Sequence, residues 1–183
     1  MSTSPSVKGG AASALPSDYR KETLGIAFFD LSRFAEWSSS DEDEAVAAFL
    51  QQFYELSAKM LEPGGCRLIK FIGDAGLVVF PVEKAEDAIL ALCEFSAEAR
   101  RAALAVGFDA YCNTNIHVGE AITGTFGPAG SARFDVLGKA VNVAARLGRR
   151  GVVLSPQAFR TLSEDARKRF QKITRPITYA FRG

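Results

Sequence analysis

The hydrophobic and polar positions along this chain predict strands and helices in alternation. Short apolar runs bounded by turn residues are typical of buried strands, and apolar residues that recur every three or four positions are typical of helices. The predicted strands cover residues 24–29, 67–72, 77–80, 108–118, 121–126, 133–137, 152–154 and 177–181. The predicted helices follow residue 39, cover 85–99 and 140–147, and begin again after Ser155. The order is therefore β-α-β-β-α-β, followed by smaller elements.

Turn and cap residues indicate where several of these elements begin and end. Ser39 and Glu42 have the spacing of a capping box, which predicts a helix start, and Pro-Gly-Gly at 63–65 predicts its end. Gly-Asp-Ala-Gly at 73–76 predicts a tight hairpin, and Gly119 predicts a turn between the two strands that flank it. The succession predicts an α+β fold, a ferredoxin-like βαββαβ sandwich with additional C-terminal strands and helices.

Composition and charge narrow the class of protein. The chain has 183 residues, of which 48% are hydrophobic, enough for one domain with a real core. Its 22 basic and 21 acidic side chains give a net charge of +1, so the basic excess of a nucleic-acid binder is missing. No apolar run approaches the ~20 residues of a membrane span. Residues 1–20, rich in Ser, Gly, Ala and Pro, predict a disordered N-terminal tail or linker before a domain at 21–183.

The cysteines and the single histidine limit the available chemistry. Cys66, Cys93 and Cys112 are odd in number, widely spaced and set among apolar residues, which predicts reduced cysteines in the core. No apolar stretch follows a basic start at the N-terminus, so we expect no cleaved signal peptide and a cytoplasmic location. His117 stands alone, and we expect a strand histidine held by a neighbour. Catalysis is therefore expected from carboxylates, Lys, Arg and Asn.

Two aspartates occupy positions that favour a metal site. Asp30 ends the first predicted strand, and Asp74 lies at the tip of the predicted hairpin. On neighbouring strands the two carboxylates face one region, where a pair ~4 Å apart repels by roughly 1–4 kcal/mol. A cation between them removes the repulsion, and hard oxygen ligands suit Mg²⁺ or Mn²⁺. The alternative is that Asp30 caps the following turn and Asp74 is an ordinary turn residue.

A helix late in the chain carries a second pair of polar residues. Asn142 and Arg146 are four positions apart, so they share one face of the predicted helix. An amide and a guanidinium that project together suit a sugar and a phosphate. Taken alone, such a pair is more often part of a solvated helix face.

Four segments together resemble the catalytic domain of the class III nucleotidyl cyclases. They are FFDLSRF at 28–34, KFIGDAGLVVF at 70–80, IHVGEAITGTFG at 116–127 and RFDVLGKAVNVAARL at 133–147. Members of that family catalyse attack of a ribose 3′-hydroxyl on the α-phosphate of a nucleoside triphosphate. A 3′,5′-cyclic nucleotide forms and pyrophosphate leaves.

The resemblance implies a two-metal site, with two Mg²⁺ or Mn²⁺ ions per site. Asp30 and Asp74 would hold both ions, with the Leu31 carbonyl as a further ligand. The backbone that follows, including Phe34 and Ala35, would cradle the terminal phosphates. A metal in this position activates the attacking hydroxyl and stabilises the leaving oxygens.

The resemblance also implies which residues bind the nucleoside. Asn142 would orient the ribose, and Arg146 would neutralise the charge that develops on the α-phosphate. Lys70 would donate to N1 of adenine, and Asp135 would accept from its 6-amino group. Guanine presents the opposite pattern, and guanylate members of the family carry a glutamate where Lys70 stands. The implied substrate is therefore ATP.

The chain departs from the family pattern near its end. The family carries a lysine, usually in a Lys-Gly pair, on a late hairpin that binds the triphosphate tail. At 171–179 this chain has a shorter hairpin without glycine, where Lys172 is the nearest candidate and Arg175 the second. After the helix that carries Arg146, the turn at 148–151 also comes early.

The resemblance implies a head-to-tail homodimer with two shared active sites. Lys70 and Asp74 are four residues apart across a strand, about 10 Å or more, which is far for one base and one metal-bound phosphate. In the family, one protomer gives the aspartates and the other gives the base-reading and transition-state residues. An upstream regulatory domain or partner is a further expectation.

Two other functions remain open. One is a catalytically silent or weak ATP-binding regulatory domain, which the shortened hairpin favours. The other is a diguanylate cyclase of similar fold, which is disfavoured because its Gly-Gly-Asp/Glu-Glu-Phe hairpin is replaced here by Ile-Gly-Asp-Ala-Gly at 72–76.

Overall fold

The computed structural model describes residues 18–148 and 151–183. The strands are β1 (Arg20–Leu31), β2 (Arg67–Ile72), β3 (Ala75–Pro81), β4 (Cys112–Phe126), β5 (Arg133–Leu137), β6 (Val152–Leu154), β7 (Phe170–Thr174) and β8 (Ile177–Phe181). The helices are α1 (Phe34–Ser38), α2 (Asp43–Leu61), α3 (Ala85–Ala105), α4 (Lys139–Ala145), α5 (Pro156–Arg160) and α6 (Glu164–Arg167). A short 3₁₀ turn at Val82–Lys84 precedes α3.

One eight-stranded sheet organises these elements. Its strand order is β2-β3-β1-β4-β6-β8-β7, and β5 pairs with β4 outside this row. The pairing of β4 with β6 is parallel, and the other strand pairs are antiparallel. From β1 through β4 the chain follows the βαββαβ order, and smaller strands and helices come after it. The predicted α+β sandwich is confirmed.

The two faces of the sheet have separate apolar clusters. Successive residues of a strand point to opposite faces, and β1 shows this alternation clearly: Ala27 and Phe29 belong to the larger cluster, which includes residues of α2 and α3. Ile26 belongs to the smaller cluster, which includes Ala140 and Ala144 of α4. The short helix α4 therefore covers one face of the sheet, and the two long helices cover the other.

Strand β4 is continuous, and the predicted turn at Gly119 is wrong. Residues Arg20–Leu31 of β1 pair without a break against β4, with Leu24 opposite Gly119. A Cβ atom at position 119 would lie 2.8 Å from His117 Nε2 and 3.0 Å from the Cβ of Ala140. The glycine therefore marks the close approach of α4 to the sheet, since a glycine within a strand often allows another backbone to come near.

The predicted capping box at Ser39 and Glu42 is also wrong. Helix α2 begins at Asp43, and Glu42 precedes it with no side-chain cap. Ser39 belongs instead to the end of α1, where its hydroxyl donates to the Glu36 carbonyl at 2.9 Å. The pattern gave no sign of α1, because five residues without a buried position carry no helical periodicity.

Other local predictions have mixed outcomes. The cap at Ser155 is confirmed, since its hydroxyl accepts from the Ala158 amide at 3.2 Å. The same hydroxyl lies 2.9 Å from His117 Nδ1, so the histidine is held by a neighbour as expected. Of the predicted tail at 1–20, residues 1–17 lie outside the described residues, and Arg20 already belongs to β1. Within the described ranges, no helix is long and apolar enough to span a membrane.

Candidate active site

The fold brings Asp30 and Asp74 to the same end of the sheet. Strands β1 and β3 are neighbours, and Phe29 lies opposite Gly76 in their register. The two aspartates lie beside this pair of residues, near the end of β1 and in the turn before β3. The Leu31 amide donates to Asp74 Oδ2 at 3.0 Å, which ties the hairpin tip to the strand end. The predicted juxtaposition of these two carboxylates is present.

Gly76 permits this close approach. An added Cβ atom there would lie 2.1 Å from the Phe29 ring, so only glycine leaves room for that ring against the hairpin. The ring itself is buried, at 1% exposure, and packs edge-on against Phe53 and Phe95. The aromatic core therefore fixes the strand that carries Asp30.

The electrostatics of the pair suit a cation. Burial raises the pKa of Asp74, the hydrogen bond from the Leu31 amide opposes this, and the charge of Asp30 raises the pKa further. Within the described ranges no third His, Cys, Asp or Glu completes a metal-binding cluster. Mg²⁺ commonly binds through one or two carboxylates together with substrate phosphates. The donor set therefore fits a divalent ion that shares its coordination with a polyphosphate.

A cleft of about 1250 Å³ opens at the two aspartates. The segment after β1 lines it, including Phe34 and Ala35, the positions at which the family resemblance implies phosphate binding. Arg100 and Tyr111 line it as well, and the guanidinium lies 4.0 Å from the tyrosine ring centroid. The cleft thus contains acidic groups and a fixed positive charge, a combination suited to a metal–polyphosphate ligand.

Lys70 and Asp135 meet although 65 positions separate them. Lys70 Nζ lies 2.5 Å from Asp135 Oδ2, and the other carboxylate oxygen accepts from the Val136 amide at 2.8 Å. The Arg67 guanidinium lies 3.8 Å from the ring centroid of Phe134. Strands β2 and β5 therefore contact each other through two pairs of side chains. Neither Lys70 nor Asp135 is among the described residues that line the cleft.

The remaining sequence-predicted residues lie elsewhere on the surface. Asn142 lies within α4 and Arg146 is the residue that ends it, and both are exposed. Lys172 lies on β7 opposite Tyr179 and is exposed. These three side chains are not among the described residues that line the cleft. The predicted site residues therefore form two groups. The cleft group lines the cleft and consists of Asp30, Leu31, Phe34, Ala35 and Asp74. The second group lies outside it and consists of Lys70, Asp135, Asn142, Arg146 and Lys172.

Sequence reasoning missed two polar residues of the cleft. Asn113 of β4 donates from Nδ2 to Asp30 Oδ1 at 2.8 Å, and Arg100 of α3 lines the same space. No motif signals either residue, because each reaches the cleft through the pairing or packing of elements far apart in sequence. Alternation along β4 alone would have placed Asn113 on a face, without identifying its partner.

The chain belongs to the family of adenylate and guanylate cyclase catalytic domains. The model of that family matches residues 17–176, which is most of the chain. The family resemblance stated from the four segments is thereby confirmed. The chain is therefore a class III nucleotidyl cyclase catalytic domain. No curated protein matches the sequence at a significant level.

Solved structures of cyclases share the fold. The adenylyl cyclase CyaB from P. aeruginosa superposes with a TM-score of 0.80 at 19% identity, over 90% of this chain and 96% of that one. A bacterial light-regulated adenylyl cyclase gives 0.78 at 18% identity, over 90% of this chain and 53% of that one. The guanylyl cyclase Cya2 gives 0.72 at 19% identity, over 90% and 93%. Because both kinds of cyclase share the fold, the nucleotide base has to be inferred from the residues that face it.

Proposed function

We propose that this chain is an adenylate cyclase that converts ATP to 3′,5′-cyclic AMP and pyrophosphate at a site shared by two copies of the chain. The observation that carries the proposal is the contact between Lys70 Nζ and Asp135 Oδ2, at 2.5 Å. It joins a cationic donor to an anionic acceptor at the two positions that the family uses to read the base.

The chemistry of this pair favours adenine. Adenine presents an acceptor at N1 and a donor at its 6-amino group, which match Lys70 and Asp135. Guanine presents a donor at N1 and an acceptor at position 6, so the same two groups would face like partners. A buried polar group without a partner costs affinity, and such sites discriminate strongly between bases.

The cleft group would bind the triphosphate. Asp30 and Asp74, with the Leu31 carbonyl, would hold two Mg²⁺ or Mn²⁺ ions, and the backbone at Phe34 and Ala35 would bind the terminal phosphates. Bound divalent ions supply an activated 3′-hydroxyl and charge stabilisation for the leaving oxygens. Lys172 is proposed as a further contact to the phosphate tail.

The residues of α4 would act on the reacting centre. Asn142 would orient the ribose so that its 3′-oxygen lies in line with the α-phosphorus. Arg146 would stabilise the negative charge that accumulates there while the new P–O bond forms and the bond to the β-phosphate breaks. One proton leaves the hydroxyl and pyrophosphate departs. A donor of this kind is typically worth ~100-fold or more in rate.

The separation of the two groups of residues supports a homodimer. In the described part of one chain, the cleft contains the aspartates without the base-reading pair or the α4 residues. A two-fold dimer that places the second group of one copy over the cleft of the other would create two equivalent sites.

A product assay tests this proposal. The purified chain is incubated with ATP or GTP and with Mn²⁺ or Mg²⁺, and the products are separated by chromatography, with Asp30→Ala as the inactive control. Cyclic AMP as the main product is expected. Cyclic GMP as the main product contradicts the reading of Lys70 and Asp135, and ATP binding without any cyclic product supports the regulatory alternative.

A further inference from the structure

A buried amide on β4 contacts one of the two aspartates directly. Asn113 lies opposite Asp30 in the register of β1 and β4, and its Nδ2 donates to Asp30 Oδ1 at 2.8 Å. The residue is 6% exposed. Its own Oδ1 accepts from the Gly151 amide at 3.4 Å, so both ends of the side chain have partners. The amide therefore cannot rotate without breaking two hydrogen bonds.

We propose that Asn113 is a positioning residue that holds the Asp30 carboxylate in the orientation required to bind the divalent ion. The inference rests on the proposed metal-binding role of Asp30. Donors that contact a metal ligand from behind fix its orientation, and their loss typically costs ~10–100-fold in metal affinity. With Oδ1 engaged by Asn113, the other oxygen of Asp30 would be left to bind the ion.

The neutral donor matters as much as its position. A lysine or arginine at position 113 would fix the carboxylate too, but its charge would compete with the divalent ion for Asp30. The amide of Asn113 orients the carboxylate and leaves its negative charge available. Asp74 is treated in the same way, since its Oδ2 accepts from the uncharged Leu31 amide at 3.0 Å. Both carboxylates thus have one oxygen held by a neutral N–H group.

Strand β4 offers a matched control for this role. Asn115 lies two residues further along, on the same face of the strand, and is 8% exposed. Its Oδ1 has no hydrogen-bond partner among the described residues, and the residue lies opposite Phe28, away from Asp30. A buried asparagine on this strand can therefore be altered without removing a contact to the carboxylate.

The test measures metal binding and turnover separately. Mn²⁺ binding to the full chain, in the presence of a non-cyclisable ATP analogue, is followed by water-proton relaxation. The same measurement is made on Asn113→Ala, on the similarly sized Asn113→Leu and on Asn115→Ala. Both changes at Asn113 are expected to weaken Mn²⁺ binding ~10–100-fold, with a KM for ATP at saturating Mn²⁺ that changes much less. Asn115→Ala is expected to change the Mn²⁺ affinity by no more than about threefold, well below the loss that follows removal of a contact to a metal ligand.

The outcomes separate this inference from the function on which it rests. Wild-type Mn²⁺ affinity in a folded Asn113→Leu variant overturns the positioning role and leaves the cyclase assignment intact. Failure of the unaltered chain to bind Mn²⁺ overturns the metal site itself. If both changes at Asn113 unfold the protein, its side-chain amide is followed by NMR in the unaltered chain during a Mg²⁺ titration. The chemical shift of that amide is expected to change with the same midpoint as Mg²⁺ binding. A chemical shift that does not change overturns the inference.

Discussion

Asp74 carries a carboxylate where the fold opposes its charge. Burial and the nearby charge of Asp30 both raise its pKa above the ordinary value, and hydrogen bonds from the backbone of Leu31 and of Asp74 itself oppose this effect only in part. Folding therefore favours the protonated carboxyl of Asp74 over the ionised one. The stability that this protonated group contributes is present at low pH and is lost as the pH rises through the folded-state pKa. This cost to the ionised form is consistent with the proposed role of Asp74 as a metal ligand, since a bound cation would offset it.

Replacement of Asp74 by asparagine should separate activity from stability. Asp74→Asn removes one of the two carboxylates that would hold the ions, so cyclic nucleotide formation should fall by ~100-fold or more. In a metal-free buffer at neutral pH the melting temperature should stay equal or rise, because a partly buried charge has been removed. Calorimetry with and without Mn²⁺ checks this, and Glu83→Gln is an exposed control. Full turnover by Asp74→Asn contradicts the metal-site assignment.

Lys70 and Asp135 form an ion pair that a base could replace. Their side chains are 42% and 22% exposed, and pairs near the surface typically contribute ~0–1 kcal/mol. In the proposed role, little free energy would therefore be lost if the two groups gave up their contact to bind the edge of a nucleotide base. The contact would hold both groups in position until the nucleotide binds.

A double substitution should change which nucleotide is used. Lys70→Glu with Asp135→Cys inverts the donor and acceptor pattern, so kcat/KM for ATP should fall ~10-fold or more and some GTP turnover should appear. Lys21→Glu, a charge reversal at an exposed ion pair with Glu120, is the control. Steady-state kinetics with both nucleotides make the measurement. An unchanged preference for ATP means that these residues do not read the base.

At the scale of elements, the contact between β1 and β3 depends on a glycine opposite an aromatic ring. The Phe29 ring fills the space of a Gly76 side chain, and both residues adjoin the proposed metal ligands. This pairing places the strand end beside the hairpin tip. Stability and activity should therefore both respond to a change in this packing.

Gly76→Ala should destabilise the protein by about 1–3 kcal/mol, the usual range for overpacking a core. The added Cβ atom would lie 2.1 Å from the Phe29 ring, and the ring or the hairpin has to move. Urea denaturation of Gly76→Ala, Phe29→Leu and the double variant gives a coupling energy. A smaller side chain at position 29 should relieve much of the cost. Strict additivity of the two changes would show that the ring and the hairpin are not in conflict.

At the scale of the whole molecule, the proposed catalytic residues divide between two regions. Asp30 and Asp74 line the cleft, and Asn142, Arg146 and Lys70 do not belong to its described lining. A site assembled from one chain would need all of them around one ligand. A site assembled from two copies would take the cleft from one copy and the other residues from its partner, so the two regions need not be close within one chain.

Mixing inactive variants should restore activity if the site is shared. In a heterodimer of Asp30→Ala and Arg146→Ala, one of the two composite sites is intact, so random pairing should give about a quarter of wild-type activity. Asp30→Ala mixed with Asp74→Ala is the matched control and should stay inactive, because both changes affect the same half of the site. Light scattering establishes that each variant is dimeric. An inactive first mixture of folded dimers contradicts the shared site.

The sequence by itself determined the class of fold and the local landmarks of the site. Apolar runs predicted most strands, glycines predicted the hairpin at Asp74, and Ser155 before proline predicted a helix start that the structure contains. These features depend on neighbouring residues, whose backbone preferences act over a few positions. The four motif segments added the family, and the match over residues 17–176 confirmed it.

The tertiary structure decided what depends on pairing and packing across the chain. Gly119 reads as a turn in isolation, but it lies within a continuous strand because α4 approaches there. Lys70 meets Asp135 across 65 positions and Asp30 meets Asn113 across 83. Strand register and the burial of apolar faces fix such contacts, and both are properties of the assembled sheet. Local sequence sets which side chains are available, and the sheet sets which of them meet.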